Sequence, residues 1–384
     1  MNQDVNTLSG LYIHIPFCSH ACPYCDFSFE LLRNGQVETF LKALENEAEY
    51  RGKDVLWSNN IFNTIFLGGG TPTCLTVNQF NDVFSFIYKH FKIDPNAEIT
   101  IEANPETVTA SKLQHLKQLG VNRLSVGVQS FSDEILQHLG RHHTANQAVQ
   151  AINIAQEVGF ENINLDLMFG VPKQSELNWT KTLGLATSLE PKHISIYGLT
   201  IEPGTTFSLM NNEGRLELPN EELHIASYYQ AIDHLGKRGY QHYEVSNFSK
   251  LGFECVHNMS IWNGGNYLGL GPSAHSHING RRMANTRNLS DYLSMIKCRR
   301  DAIELEEKLS IDELIHEYIL LNLRVIRGLN PVVFQELYGI GALEKRKPAI
   351  RFLIENGLLI EEETQLRLTR KGLALADSVC EHLM

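Results

Sequence analysis

The stretch LYIHIPFCSHACPYCDF, residues 11–27, decides how the rest of this 384-residue chain is read. It opens with a β-rich run, LYIHIPF. Three cysteines follow at once, Cys18, Cys22 and Cys25, in the spacing C-x3-C-x2-C. Three thiolates on one short loop can each ligate one iron of a [4Fe-4S] cube. A cube has four corners, so such a loop leaves one iron open to a small molecule. Zinc is the competing reading; it needs a fourth ligand such as His20 or Cys255, and zinc motifs usually come as two cysteine pairs.

Outward from that loop the chain alternates strand-like and helix-like segments. Strand-like runs fall at 11–17, 63–70, 98–105, 123–130, 162–170 and 193–200, and helical stretches around 37–50, 78–91, 110–120 and 220–238. Six β-α units in a row predict a parallel sheet. Its strands, covered on both faces, should read as near-continuous apolar runs, as TIFLG and RLSVGV do. A doubly wound sheet and a partial barrel share this rhythm, and the polar residues separate them. Cys18 to Cys25, Gly68 to Thr71, Glu102, Asn104 and Gln129 fall at or just after the carboxyl ends of successive strands, and Asp166 within or near the end of the fifth. A barrel gathers those ends on one functional face. The expected fold is therefore α/β: a partial (β/α)6 TIM-like barrel over residues 1–240.

Residues 241–299 read as a connecting region, with a structured functional loop where 250–290 is rich in Gly, Asn and His. From 300 to 384 the pattern turns helical and closes with a hairpin, LLIEEETQLRLT, and a last helix, which predicts a small α+β winged-helix-like domain. The hairpin carries Glu361, Glu362 and Glu363, and phosphate contacts need positive charge, so DNA binding is disfavoured. The whole chain agrees: 33 Lys+Arg against 44 Asp+Glu give a net charge of −11, a poor default for nucleic acid. At 43% hydrophobic it is too apolar for disorder, yet no apolar run approaches the ~18 residues of a membrane span. The first ten residues, MNQDVNTLSG, lack a secretory signal, and an odd count of seven cysteines speaks against a disulfide framework. A cytoplasmic location follows as the expectation.

The blocks YIHIPFC, CPYCDF, LGGGTPT, IEANPET, SVGVQSF, LGRHH and NLDLMFGVP occur in this order. They resemble the radical S-adenosylmethionine (SAM) superfamily and, within it, the oxygen-independent coproporphyrinogen III dehydrogenase family with its heme-chaperone branch. The resemblance implies that Cys18, Cys22 and Cys25 hold the [4Fe-4S] cluster and that SAM binds its open iron. It implies that Gly69, Gly70 and Thr71 cradle the methionine part of SAM, where an ordinary tight βα turn is the plain alternative. Glu102 corresponds to the acidic residue near the SAM ribose or amino group. Gln129, Arg141 and Asp166 correspond to further SAM contacts, and Tyr12 to a tyrosine packed near SAM.

Three features weigh toward the heme-chaperone branch. The dehydrogenase branch extends the motif to C-x3-C-x2-C-x-C, whereas Phe27 stands two positions after Cys25. That branch also carries a long N-terminal arm, whereas 17 residues precede Cys18. The chaperone branch has an HNxxYW motif tied to heme binding, and here His257-Asn258-Met259-Ser260-Ile261-Trp262 matches it with Ile261 in place of Tyr. His257 would then offer an axial iron ligand and Trp262 a stacking surface. The alternative is a capped turn in which His257 and Asn258 bond backbone and Trp262 fills a core gap. The implied function is a heme chaperone that passes heme to acceptor hemoproteins, with cluster, SAM and an electron donor in support. A homodimer is compatible with such a family. The competing function is the dehydrogenase itself, oxidatively decarboxylating coproporphyrinogen III, or another radical SAM enzyme.

Overall fold

The computed structural model describes residues 8–33, 35–299, 301–362 and 364–384. Residues 1–7, most of the stretch read for an export signal, and Glu363 of the acidic hairpin lie outside them. Six parallel strands stand side by side in chain order: β1 (Ser9–Ile15), β2 (Ile61–Gly69), β3 (Lys92–Ala103), β4 (Arg123–Gln129), β5 (Asn162–Phe169) and β6 (His193–Gly198). Helices α1 (Gln36–Lys53), α2 (Val77–His90), α3 (Ala110–Gln118), α4 (Asp133–His138), α5 (Ala145–Val158) and α6 (Glu176–Ser188) fill the crossovers, and α7 (Thr206–Asn212) and α8 (Glu221–Lys237) follow β6. Their starts are set locally. Thr76, Thr144 and Ser175 each accept from the backbone N–H three residues on, in full capping boxes.

The strands are not the continuous apolar runs expected of a doubly covered parallel sheet; they alternate. Ile13, Leu67, Ile101, Val126, Leu165 and Ile196 pack outward into the main apolar core. Their neighbours Tyr12, Glu102, Arg123, Ser125, Asp166 and Ser195 turn the other way. Period-2 alternation puts these polar groups together inside the barrel. A lumen that houses a polar site needs hydrogen-bonding groups, and this requirement overrides the apolar default.

The span 241–299 holds more regular structure than its composition indicates. Strands β7 (Gln241–Glu244) and β8 (Asn247–Ser249) extend the sheet antiparallel beyond β6. Helix α9 (Val256–Trp262) follows, then β9 (Asn266–Leu270), which pairs parallel with β1, and β10 (His275–Ile278) and β11 (Arg281–Asn285), which extend that edge with β12 (Ile303–Lys308) to twelve strands in all. The strands of four and five residues within 250–290 are too short to display a period, which is why the sequence reads there as loop. Beyond β12, helix α10 (Ile311–Arg324) and the hairpin β13 (Leu359–Glu362)/β14 (Gln365–Leu368) join a second apolar cluster that includes Ile319, Leu323, Phe334, Leu353, Leu366 and Val379. Among the described residues no helix is long and apolar enough to cross a membrane. All seven cysteines are free.

Candidate cofactor site at the carboxyl ends of the strands

A cavity of about 430 Å³ opens at the carboxyl ends of β1 to β6. It is lined by Cys18, Cys22, Cys25, Gly69, Gly70, Thr71, Glu102, Gln129, Arg141 and Asp166. The three cysteines and seven of the eight residues matched to SAM contacts thus meet in one place, from segments more than 140 positions apart. Tyr12 sits deeper on β1. Its hydroxyl lies 3.1 Å from His14 Nδ1, and His14 Nε2 lies 2.7 Å from the Ser28 carbonyl. A carbonyl only accepts, so Nε2 carries the proton and Nδ1 accepts from Tyr12. Burial holds His14 neutral by lowering its pKa.

The glycine turn is shaped by its neighbours. Gly69 has φ +107, and a Cβ there would stand 2.7 Å from the His14 ring; a Cβ on Gly70 would meet the Phe17 carbonyl oxygen at 2.6 Å. The turn therefore tolerates no side chain where β2 runs past the cysteine loop. The Gly69 N–H donates to Glu102 Oε2 at 3.2 Å, which aims that carboxyl into the cavity. Burial, and after it the Asp166 carboxylate, push the Glu102 pKa up to about 8. Asp166 is raised as well, chiefly by burial, although Ser125 Oγ (3.0 Å) and Asn164 Nδ2 (2.8 Å) donate to it. Gln129 ends β4 in the left-handed region at φ 62, after a register shift against β5. A non-glycine residue so strained marks a place where the surroundings dictate the backbone.

Arg141 binds the wall together. One guanidinium nitrogen donates to Asn104 Oδ1 at 2.5 Å and to the Gly127 carbonyl at 3.0 Å, and another lies 3.7 Å from Cys22 Sγ. Asn104 Nδ2 donates to Thr71 Oγ1 at 2.9 Å, and that hydroxyl lies 3.4 Å from Cys18 Sγ. Arg141 Nε is buried without a partner among the described residues, a donor left over for an anionic group. Asn104 is the residue whose role the sequence understated: it lies in the quoted IEANPET block, but its part as a bridge from Arg141 to Thr71 depends on contacts 33 and 37 positions away. Beside the loop, Glu106 lies 3.5 Å from His143 Nδ1 and 3.8 Å from His20 Nδ1, and His20 stacks on His142 at 3.9 Å.

The donor set fits a cluster. A cube takes its thiolates at separate corners, and Cys18, Cys22 and Cys25 line one cavity. Cys255 is remote. It lies 3.6 Å from Glu98, which precedes Glu102 on β3 by four residues, about 13 Å along a strand. Burial pushes the Cys18 thiol up to about 12, and a metal must take the place of that proton.

His257 and Trp262 are not brought to this cavity. Helix α9 closes the opposite, amino-terminal end of the barrel. The His257 ring lies 2.7 Å from Thr64 Oγ1, so close to β1 that a Cβ on Gly10 would stand 2.9 Å from it. Burial lowers its pKa to about 4. Backbone N–H groups of Val256 and His257 donate to Glu98 at 3.1 and 3.0 Å. Trp262 packs its ring beneath the Arg324 guanidinium at 4.9 Å. A hydrogen-bonded chain joins the two ends. The Cys255 N–H donates to the Tyr243 hydroxyl (3.2 Å), which lies 2.7 Å from His193 Nε2; His193 Nδ1 lies 2.6 Å from Asn164 Oδ1, and Asn164 donates to Asp166.

A model of the radical SAM superfamily matches residues 12–186, and one of the HemN C-terminal domain residues 309–375. The chain is 36% identical to the heme chaperone HemW of Bacillus subtilis over 379 residues, covering 97% of this chain and 98% of that one. It is 34% identical to the heme chaperone HemW of Escherichia coli over 385 residues, covering 97% of each. Among solved structures, coproporphyrinogen III oxidase (HemN) from Escherichia coli matches with a TM-score of 0.87 over 98% of this chain and 90% of that one, at 24% identity, a likeness of fold. With relatives this similar along its whole length, the chain belongs to the HemW family of the radical SAM superfamily.

Proposed function

We propose that this protein is a heme chaperone: it binds heme and passes it to acceptor hemoproteins, and it carries a [4Fe-4S] cluster and SAM at the carboxyl-end cavity. The observation that carries the reading is the full-length likeness to proteins named heme chaperone HemW. Phe27, which lines the cavity where the dehydrogenase branch has a further cysteine, supports it. Cys18, Cys22 and Cys25 would hold the cluster. Gly69, Gly70, Thr71, Glu102, Gln129, Arg141 and Asp166 would hold SAM, with Tyr12 packed beneath. When bound, cluster and SAM supply one-electron reductive chemistry. The chain's own part is to bind and orient. Arg141 offers its unpartnered Nε to a carboxylate, and Glu102 and Asp166 accept from hydroxyl or ammonium donors. We extend the proposal to a cytoplasmic setting, an electron-donor protein and a homodimer; seven free cysteines support the first. We also read 300–384 as a packing unit of its own, supported by its separate apolar cluster, while β7 to β11 of 241–299 enlarge the barrel sheet.

The test is a pair of assays on the anaerobically reconstituted protein. It should bind hemin and deliver it to an apo-hemoprotein. It should leave coproporphyrinogen III unconverted under reducing conditions with SAM. Turnover to protoporphyrinogen IX would sink the chaperone reading in favour of the dehydrogenase.

A second expectation concerns pH. Glu102 has a folded pKa of about 8 against an ordinary 4.5, so it is largely protonated at neutral pH. An ionised carboxylate is the better acceptor, so SAM binding should release this proton and tighten by up to about tenfold per pH unit as pH rises toward 8. Stability runs the other way. The raised pKa contributes stability below 4.5 that is lost as pH rises through about 8. Equilibrium dialysis with labelled SAM reads the first effect. Glu102→Gln should flatten the profile, and an equally steep slope in that variant would exclude Glu102 as its source.

A further inference from the structure

We propose that Asn104 is a positioning residue for the iron–sulfur cluster: set between Arg141 and Thr71, it directs a relay of hydrogen bonds onto two of the three cluster thiolates, Cys18 and Cys22, and so raises the reduction potential of the cluster. This rests on the reading of Cys18, Cys22 and Cys25 as cluster ligands and gives the wall around them a task that binding SAM does not require.

The direction of the relay follows from which atoms carry protons. A guanidinium only donates, so Asn104 Oδ1, 2.5 Å from Arg141 Nη2, must accept, and the amide has one possible orientation. Its Nδ2 then faces Thr71 Oγ1 at 2.9 Å and donates to it. With that lone pair of the hydroxyl engaged, the hydroxyl proton is free to point at Cys18 Sγ, 3.4 Å away. A thiolate bound to iron has no proton of its own, so there it only accepts. Cys22 is served from the other end of the relay, where Arg141 Nη1 lies 3.7 Å from its Sγ.

The relay is held from several sides. Arg141 Nη2 also donates to the Gly127 carbonyl at 3.0 Å. A Cβ on Gly127 would stand 3.1 Å from Asn104 Oδ1, so glycine there leaves the relay its room. Asn104 heads the turn Pro105–Thr107, and its carbonyl accepts from the Thr107 N–H at 2.9 Å and the Thr107 hydroxyl at 2.7 Å. Thr71 is 2% exposed, which keeps bulk water from competing for its hydroxyl. Donors and a cation beside the sulfurs favour the more negative, reduced cluster, and hydrogen bonds to the sulfurs are one of the means by which a protein sets such a potential. Aspartate at 104 would keep the shape and break the relay. It has no N–H for Thr71, so the hydroxyl would turn its proton to the carboxylate and away from Cys18.

A redox titration of the anaerobically reconstituted protein, followed by the electron paramagnetic resonance of the reduced cluster, tests this. SAM is left out, so that altered SAM affinity in a variant does not enter. Asn104→Asp and Thr71→Val should each move the one-electron equilibrium about tenfold toward the oxidised cluster, a fall of about 59 mV. Thr71→Ser keeps the hydroxyl and should stay within about twofold of wild type in the same equilibrium. In the double variant Thr71→Val/Asn104→Asp the second change should add less than it does alone, because the hydroxyl it acts through is gone. Iron and sulfide contents equal to those of wild type show that a variant carries the intact cluster. Where valine at 71 keeps the cluster from assembling, Asn104→Asp, at a residue that bonds neither cysteine, decides. Loaded variants with the wild-type potential, or a Thr71→Ser potential as low as that of Thr71→Val, overturn the relay and leave the cluster reading intact. A wild type that takes up no cluster overturns that reading itself.

Discussion

Changing Cys18, Cys22 and Cys25 together to serine is expected to abolish the brown absorbance of the anaerobically reconstituted protein and to reduce bound iron and sulfide to background. The effect is total because the cavity holds no replacement. Its remaining ionisable residues are mostly carboxylates, imidazole and guanidinium, which do not hold an iron–sulfur cube in place of three thiolates. The other four cysteines make the control. Cys255 is buried against Glu98 and Cys380 lies in the C-terminal apolar cluster, while Cys298 is exposed. Cys74 is the demanding comparison, since its charge acts on Cys18. Serine at any of these four should leave the colour in place. The three loop cysteines are only partly buried, so the triple variant should fold as the metal-free protein does. Full iron content in the triple variant, or loss of colour on changing Cys74 alone, would show that the cluster is held elsewhere.

The largest loss of stability is expected at Glu98. This buried carboxylate receives hydrogen bonds from the N–H groups of Val256 and His257 and lies 3.6 Å from Cys255 Sγ, which seats α9 on the barrel floor. It also helps hold the charge of Arg123: burial works against that cation, and neighbouring acids, Glu98 among them, offset it. Glu98→Ala strands two backbone donors and weakens the support of a buried guanidinium, so about 3–5 kcal/mol should be lost in denaturant unfolding of the metal-free protein. Glu98→Gln keeps an acceptor and should lose less. Asp233→Ala, which breaks an exposed ion pair with Arg370, should cost about 1 kcal/mol or less. A loss at Glu98 no larger than at Asp233 would refute its role as the anchor of α9. SAM affinity should change little, because the cofactor cavity lies at the other end of the strands.

What the sequence determined by itself is what short spacings can encode. Three cysteines within eight residues state a ligand count, and a strand, a glycine turn and a helix repeated along the chain state a parallel β/α barrel with its functional face at the strand ends. Both are legible because the atoms involved are near neighbours in the chain. The tertiary structure alone decided the direction in which distant side chains act. Arg141 reaches Asn104 and Cys22, the latter 119 positions away, and the inner layer of the strands proves polar because it encloses a site. The HNxxYW-like segment shows this most clearly. Its letters say nothing of Thr64, 193 positions away, whose hydroxyl lies 2.7 Å from the His257 ring. A helix offers every residue a face at a fixed angle, but which face meets the barrel is set by the elements packed against it. A one-dimensional motif does not contain that information.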